Sequence, residues 1–178
     1  TSTTTPSTSQ VVTTTGTYYF RARTAAGCWG TQGSAAVTML NNTYGDFTCN
    51  PIDAGTLCIG QTFTDARSNA SFANDYAGQA SPDIYYRFTL NYPATVNIGH
   101  CGSGFDTYIH LLNSSGTSLA SNDDDGPVCS GNNASMQVSL GAGTYYVVSE
   151  GFSSNTGTIT TTITVGAATA NTTDAQNI

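Results

Sequence analysis

The residues with the most evident chemistry are acidic and lie close together in the chain. Asn122, Asp123, Asp124 and Asp125 are consecutive, and Asp106 precedes a predicted strand that is expected to form a hairpin with this segment. Three adjacent carboxylates repel one another, and a hard cation with oxygen ligands, such as Ca²⁺, would relieve that repulsion. The spacing is not that of an EF-hand. We therefore predict a calcium site formed by these five residues; the alternative is a solvated turn whose side chains bond their own backbone.

The two histidines are the next candidates for a catalytic role. A catalytic site requires a nucleophile, a base and an orienting acid to converge, and the sequence contains neither G-x-S-x-G nor H-E-x-x-H around His100 or His110. His110 alternates with Leu112 along a predicted strand, so it is expected to pack or to face solvent. Glu150 is expected to follow a strand. The sequence therefore predicts that the protein is not an enzyme.

Five cysteines, at positions 28, 49, 58, 101 and 129, indicate the compartment in which the protein works. None forms a C-x-x-C pair, and the histidines do not supply the spacing of a zinc site. Disulfides formed in an oxidising compartment are the better interpretation. An odd number leaves one cysteine over, and the residues alone leave the pairing open.

Tyrosines are the third group with possible chemistry. Tyr18–Tyr19, Tyr85–Tyr86 and Tyr145–Tyr146 are adjacent pairs on predicted strands, and Tyr108 lies on another. An exposed row of rings would bind a polysaccharide or a protein ligand. Alternatively, each pair places one ring inside the fold and one outside, as cross-strand packing requires.

The composition excludes several classes of protein. The chain has 178 residues, enough for one domain or one and a half. It contains 31 Thr, 18 Ser and 19 Gly, no Lys, only four Arg, and has a net charge of −7. Four scattered arginines do not form a surface for nucleic acid, and the same sign of charge disfavours anionic membranes. No apolar run approaches the ~20 residues of a membrane helix, and no leader is expected before Thr1.

The N-terminal part of the chain is expected to be a small β unit. After a Thr/Ser-rich stretch over residues 1–15, three short β-like runs follow, at Val11–Thr15, Thr17–Thr24 and Ser34–Leu40. Three strands do not easily bury both faces of a sandwich, and an isolated small sheet is marginally stable. We therefore expect this segment to need a partner from outside itself. The polar residues 41–51 are typical of a boundary.

From Ile52 to Val165, apolar and polar residues alternate with a period of two, and turn residues separate the runs. This pattern predicts an all-β, antiparallel sandwich. The clearest predicted strands are Asp83–Leu90, Thr95–Ile98, Asp106–Leu112, a short one around Leu119, residues 136–140, Thr144–Glu150 and Thr158–Val165. One short helix or turn is predicted around Asp65–Asp75.

Three motifs in this region occur in a characteristic order: FDTYIHLL, then SLASNDD, then LGAGTYYVVSEGFSSNTGTITTTI. Together they resemble the bacterial pre-peptidase C-terminal domain family over about residues 49–166. The resemblance implies a jelly-roll-like β-sandwich that is appended to secreted proteases and adhesins and has no catalytic activity of its own. The preceding GTYYFRARTAAGCWGTQGSAAVTM resembles the C-terminal half of an Ig-like repeat of large bacterial surface proteins, which implies an incomplete Ig-like β unit at the N-terminus.

The family resemblance also implies how the cysteines pair. Cys49 and Cys58 match a near-neighbour pair at the start of the domain, and Cys101 and Cys129 match a pair that brackets the FDT and NDD motifs. On this interpretation Cys28 pairs with a residue upstream of this chain. The alternative is that Cys28 is a buried free thiol.

These observations predict a Thr-rich segment and partial Ig-like unit over residues 1–45, the sandwich over residues 46–166, and a tail or linker over residues 167–178. Our first hypothesis is a non-catalytic extracellular module of a larger bacterial secreted or cell-surface protein, serving adhesion, substrate targeting or spacing. The second is a structural subunit of an extracellular filament assembled by β-strand exchange through the N-terminal segment. The third is an accessory domain of a secreted protease. The expected partners are neighbouring domains of the same polypeptide or identical subunits.

Overall fold

The computed structural model of the chain describes residue 12 and residues 14–38 and 44–167. Internal contacts divide the chain into two compact units, residues 1–41 and residues 42–178. Each unit is described below by itself. The predicted tail lies outside the described residues from position 168 onward.

The first unit is a two-stranded antiparallel hairpin. Strand β1 is Gly16–Phe20 and strand β2 is Gly33–Val37, with Gly16 opposite Val37 and Phe20 opposite Gly33. Most of its side chains are exposed. The predicted strand Val11–Thr15 is not formed at Thr14 and Thr15, and Val11 and Thr13 lie outside the described residues. The Ig-like resemblance of this unit stays a prediction.

The second unit consists of nine strands and one turn of 3₁₀ helix, within the described residues. The strands are β3 (Ile52–Thr56), β4 (Thr62–Ser68), β5 (Ile84–Leu90), β6 (Ala94–Gly99), β7 (Thr107–Asn113), β8 (Ser118–Asn122), β9 (Ser135–Leu140), β10 (Gly143–Gly151) and β11 (Thr158–Gly166). The 3₁₀ turn is Asn69–Ser71.

These strands form two sheets, one of five strands in the order β3-β5-β10-β7-β8 and one of four in the order β4-β11-β6-β9. The prediction of an all-β sandwich is confirmed. One pairing departs from the antiparallel prediction, because β3 runs parallel to β5. The register of this pair shifts between Asp53 and Gly55, and Gly55 has a φ of +78°, a conformation that glycine adopts without strain.

The core lies between the two sheets and follows the alternation of the sequence. From the five-stranded sheet β5 contributes Tyr86 and Phe88, and from the four-stranded sheet β11 contributes Ile159 and Ile163, all of them fully buried. Because successive side chains of a strand point to opposite faces, the intervening residues lie on the outer faces of the sandwich.

The outer face of the five-stranded sheet carries a second, smaller apolar cluster. Tyr85, Leu112 and Val148 come from the neighbouring strands β5, β7 and β10, and Tyr76 packs against them. Tyr76 belongs to residues 72–83, which we call the covering segment because it lies over this face. The segment is thus held against the sheet by apolar contact as well as by the polar contacts described below.

The predicted helix or turn at Asp65–Asp75 is wrong for its first residues. Asp65, Ala66, Arg67 and Ser68 belong to β4, which pairs with β11 from Thr62 to Ser68. The seven-residue ladder with a neighbouring strand outweighs the weak local preference of this polar sequence. Only the single 3₁₀ turn that follows is helical.

Candidate functional site

Three of the five predicted calcium ligands lie together. Asp106 immediately precedes β7, Asp123 and Asp124 follow β8, and the β7–β8 hairpin brings these ends side by side. One carboxylate oxygen of each residue lies within 4.8 Å of the others. We call these three residues the acidic cluster.

The two other predicted ligands have structural partners instead. Asn122 accepts a hydrogen bond from the backbone N–H of Ser135 at 2.8 Å, and its amide donates to the carbonyl oxygen of Asp124. Asp125, with a φ of +48°, accepts from the backbone N–H of Gly131 at 2.9 Å. Both side chains therefore order the loop that follows β8, as Asx side chains commonly do.

Electrostatic repulsion is visible within the acidic cluster. The pKa of Asp106 is raised, first by burial and then by the charge of Asp124, while a hydrogen bond from Asn132 opposes the rise. The pKa of Asp123 is raised by burial and then by the charges of Asp124 and Asp106. One buried oxygen of Asp106 and one of Asp123 have no hydrogen-bond partner. This donor set fits a hard cation, and calcium binding stays a prediction.

A disulfide stabilises the region that carries the acidic cluster. Cys101 and Cys129 are bonded, with a Cα–Cα distance of 5.2 Å and a sequence separation of 28. The closed loop contains β7, β8 and all three carboxylates. The structure thus contains the pairing that the family resemblance implied for these two cysteines.

The implied bridge between Cys49 and Cys58 is not formed, and both are exposed free thiols. Strand β3 (Ile52–Thr56) lies between them in the chain. Cys28 is also an exposed free thiol, so the alternative of a buried thiol is wrong, and a partner upstream of this chain stays a prediction.

A second group of polar residues, which the sequence did not reveal, lies on the outer face of the five-stranded sheet. The Nε2 atom of His110 is 2.5 Å from the Oε1 atom of Glu150, and both side chains are buried. The His110 ring lies between the rings of Tyr76 and Tyr108, with centroid distances of 4.6 and 4.8 Å. His110 therefore does not face solvent, and Glu150 lies within β10 rather than after it.

The covering segment is hydrogen-bonded to the His110–Glu150 pair. The backbone N–H of Gln79 donates to Oε2 of Glu150 at 3.0 Å. A Cβ atom added to Gly78 would collide with Oε1 of Glu150 and would lie 2.6 Å from Nε2 of His110. The backbone at Gly78 thus approaches the pair so closely that no larger residue fits without a shift.

Asp83, at the end of the covering segment, is the third member of this group. Its Oδ2 atom accepts hydrogen bonds from the backbone N–H groups of Asp75 and Tyr76, whereas its buried Oδ1 atom has no partner. Burial raises the pKa of Asp83 to about 7, and the nearby Glu150 adds to the rise against the effect of the two N–H donors. Asp83 thus positions the covering segment through Oδ2, and its complete burial keeps the carboxyl group away from solvent.

His100 is buried on the other side of the same sheet, in the core. Its Nε2 atom is 2.8 Å from the hydroxyl of Ser149, which is 3.0 Å from the hydroxyl of Thr161. Burial lowers the pKa of His100 to about 3, so the imidazole is neutral at physiological pH. Both histidines are therefore enclosed by the fold.

The tyrosines do not form one exposed row on the sandwich. Tyr86 lies in the core and Tyr85 under the covering segment, so this pair points to opposite faces although both rings are buried. Tyr145 and Tyr146 are half-buried. In the first unit, by contrast, Tyr19 is 66% exposed and the neighbouring Phe20 is 61% exposed.

The first unit presents a basic and aromatic surface. The Cζ atoms of Arg21 and Arg23 lie 5.1 and 5.2 Å from the centroid of the Trp29 ring. Arg23 and Trp29 form an antiparallel β-bridge beyond the hairpin strands, and Trp29 is 43% exposed. We call these three residues the basic–aromatic patch. From sequence alone these arginines are only scattered charges. The signal that could have indicated the patch is the spacing of two between Arg21 and Arg23, close to the single Trp of the chain.

The second unit is an all-β sandwich in which both histidines are buried, and comparison with known proteins shows which family part of it resembles. Residues 84–148 match the family model of the bacterial pre-peptidase C-terminal domain, which confirms the resemblance over those residues. A solved structure that is similar to this chain is the pre-peptidase C-terminal domain of collagenase from Bacillus anthracis, at 14% identity. That likeness covers 65% of this chain and 93% of that one, with a TM-score of 0.38. No curated protein matches this sequence.

Within the part of the chain that the structure describes, no helix has the length and apolar character needed to span a bilayer.

Proposed function

We propose that this chain is a non-catalytic, extracellular β-sandwich module of a larger bacterial secreted or cell-surface protein, serving adhesion, substrate targeting or spacing. The observation that carries the proposal is the enclosure of both histidines. His110 is bound to Glu150 beneath the covering segment, and His100 is bound to Ser149 in the core. The side chains best suited to acid–base chemistry are used to hold the sandwich together.

Two further features support an extracellular setting. The Cys101–Cys129 bridge belongs to an oxidising compartment. The family matched by residues 84–148 is described as a bacterial pre-peptidase C-terminal domain, and this supports an accessory role beside a catalytic domain elsewhere in a polypeptide. An accessory domain of a secreted protease is therefore one form of the proposed module.

Binding and hydrolysis assays on the same preparation test this proposal. The purified chain is incubated with insoluble cellulose, chitin and fibrous collagen, and both sedimentation with the solid and release of soluble fragments are measured. A module for adhesion or targeting co-sediments with at least one solid and releases nothing. Fragment release that persists after repurification and is lost on His110→Ala substitution would contradict the proposal.

A second candidate function is that of a filament subunit assembled by β-strand exchange. The observation in its favour is the exposed state of the hairpin, in which Tyr19, Phe20 and Trp29 remain accessible to solvent. A two-stranded hairpin is marginally stable alone, and its free strand edges provide the main-chain groups that strand addition uses. Electron microscopy and light scattering of the chain with and without residues 1–45 test this function, because equal polymerisation of both would exclude strand exchange.

A further inference from the structure

We propose that the basic–aromatic patch of one copy of this chain binds the acidic cluster of a second copy. The patch consists of Arg21, Arg23 and Trp29, and the cluster of Asp106, Asp123 and Asp124. The inference rests on the second candidate function, assembly of identical copies, and it names a contact between them that does not depend on strand exchange.

The arginines of the patch are arranged for binding. Both guanidinium groups lie over one indole ring, and the Nε of Arg23 also donates to the carbonyl oxygen of Gly27 at 3.4 Å. An arginine stacked on an aromatic ring keeps the N–H groups at the edge of its plane free for a carboxylate. Its side chain is already partly ordered, so less conformational entropy is lost on binding.

No carboxylate of the same segment can serve these arginines, because residues 1–45 contain no Asp and no Glu. The other two arginines of the chain have partners: Arg67 is paired with Asp65, and Arg87 with Asp53. Among the described residues, neither Arg21 nor Arg23 forms an ion pair. The two cations without an acidic partner are thus both in the patch.

The charges of the chain are divided unequally between its two parts. Residues 1–45 carry a net charge of +2, and the remaining residues, with all eleven acids and two arginines, carry −9. The second part therefore carries the negative charge that would complement the positive patch. A second copy of this chain supplies that charge at the same concentration as the patch itself. This complementarity favours a second copy as the occupant.

Within the acidic part, the acidic cluster is the surface that best complements two adjacent guanidinium groups. Asp53 and Asp65 are already paired with arginine, and Asp83 and Glu150 are fully buried. The three carboxylates of the cluster lie within 4.8 Å of one another and face no cation among the described residues. Two guanidinium groups would relieve their mutual repulsion and could bond the unpartnered oxygens of Asp106 and Asp123.

The patch and the cluster are different surfaces of one chain, so the contact is heterologous. A heterologous contact leaves one free patch and one free cluster at the two ends of any open assembly. Copies therefore add head to tail, and the product is a chain of subunits unless the rotation per subunit closes a ring.

Charge exchange between two variants of the full 178-residue chain tests the contact. One variant carries Arg21→Asp and Arg23→Asp, and the other carries Asp123→Arg and Asp124→Arg. Sedimentation velocity at low ionic strength should show concentration-dependent assembly of the unchanged protein and at least tenfold weaker assembly of each variant alone. An equimolar mixture should assemble again, because each reversed patch then meets a reversed cluster.

Asp75→Arg is the matched control, because Asp75 is exposed, outside the cluster, and the same charge is reversed. It should assemble like the unchanged protein. Thermal unfolding of each variant shows whether the sandwich is intact, and the exposed Asp124→Asn, which also should weaken assembly, replaces any variant that does not fold. Assembly that is insensitive to all charge changes, or a mixture that stays monomeric, overturns the contact but leaves the filament function standing. An unchanged protein that stays monomeric at every concentration overturns both.

Discussion

The imidazole of His110 and the carboxylate of Glu150 are joined by a contact of 2.5 Å between Nε2 and Oε1, on the outer face of the five-stranded sheet. The two residues come from the adjacent strands β7 and β10, and the backbone of Gln79 bonds the other oxygen of Glu150. The pair therefore joins two strands to each other and to the covering segment. The main consequence of the pair is that it holds the covering segment, whose residues 72–83 include no helix or strand, against the sheet.

Removal of one member of this pair should be costly. We expect Glu150→Ala to lower the free energy of unfolding by about 3–5 kcal/mol, since it leaves a buried imidazole and the Gln79 N–H without their partner. Urea denaturation followed by tyrosine fluorescence measures this. Asp53→Ala is the matched control, because the Asp53–Arg87 pair is largely solvent-exposed and should contribute about 0–1 kcal/mol. Equal effects of the two substitutions would contradict the structural role of Glu150.

Adding a single methyl group at Gly78 should weaken the contact between the covering segment and the sheet. Gly78→Ala places a Cβ against Glu150 and His110, and we expect a loss of about 1–3 kcal/mol from overpacking. Gly104→Ala is the control, since Gly104 is likewise exposed and a Cβ there meets nothing within 4 Å. Chemical denaturation gives the stability, and hydrogen exchange of residues 72–83 locates the effect. Stability and exchange of this segment that are the same in Gly78→Ala as in Gly104→Ala would show that the close approach is not as described.

Asp83 should make stability fall as pH rises. Its native pKa is raised to about 7, whereas the unfolded carboxyl titrates near 3.9. Its contribution is thus complete below about pH 4 and is lost as pH rises through 7, because the native state retains a proton that the unfolded chain has released. His100, with a pKa lowered to about 3, acts in the opposite direction below pH 6.5.

Asp83→Asn isolates this contribution, because His100 is present in both proteins and its effect cancels in the difference. Between pH 5 and pH 8, the stability of the variant relative to the unchanged protein should rise by about 1–3 kcal/mol. Urea denaturation across this range measures the difference. A pH-independent difference would mean that Asp83 is ionised in the native state throughout.

The disulfide should contribute a large part of the stability of the second unit. Cys101→Ser together with Cys129→Ser should lower the free energy of unfolding by ~3–4 kcal/mol, since the bridge closes a loop of about 28 residues in the unfolded chain. Denaturant titration measures this loss. Alkylation without reduction should label Cys28, Cys49 and Cys58 and spare the other two. A peptide in which Cys49 is linked to Cys58 would contradict the structure.

Calcium binding to the acidic cluster is tested by thermal unfolding with calcium and with chelator. If the cluster binds calcium, a concentration of 100 times Kd should stabilise the protein by about 2.7 kcal/mol, and Asp123→Asn should remove the effect. An unchanged melting temperature would exclude the site. The same carboxylates cannot serve calcium and the arginines of a second copy at once, so bound calcium should also weaken assembly.

Much of the sandwich could be predicted from sequence, because side-chain alternation is a local property. Strand β5 and its buried face were predicted directly from the alternation of Ile84, Tyr86, Phe88 and Leu90 with more polar residues. Strand β3 has no such pattern, since Gly55 and Thr56 carry little apolar signal, and its parallel pairing with β5 depends on long-range contacts.

The candidate sites also differ in whether they depend on local sequence or on long-range strand pairing. Asp106 and Asp123 were predicted to meet because a short hairpin brings them together. His110 and Glu150 are 40 residues apart, and their contact requires that β10 lies between β5 and β7. Alternation shows which face a side chain occupies but not which strand is its neighbour, so this pair could not be predicted.

The positions of the four arginines also determine where a protease that cleaves after basic residues can cut the folded protein. The chain has no lysine, so a protease that cleaves after basic residues has only four possible sites. Arg67 lies in the edge strand β4, which is paired with β11, and Arg87 lies in β5 between two neighbouring strands, so cleavage at either requires a β-ladder to open first. Cleavage of the native protein is therefore expected first at Arg21 and Arg23, which are exposed and lie outside the strands. Cleavage after Arg23 would remove β1 together with both arginines of the basic–aromatic patch. Under the proposed contact, the remaining sandwich would keep its acidic cluster, so it would bind the patch of an intact copy and end an assembly without extending it.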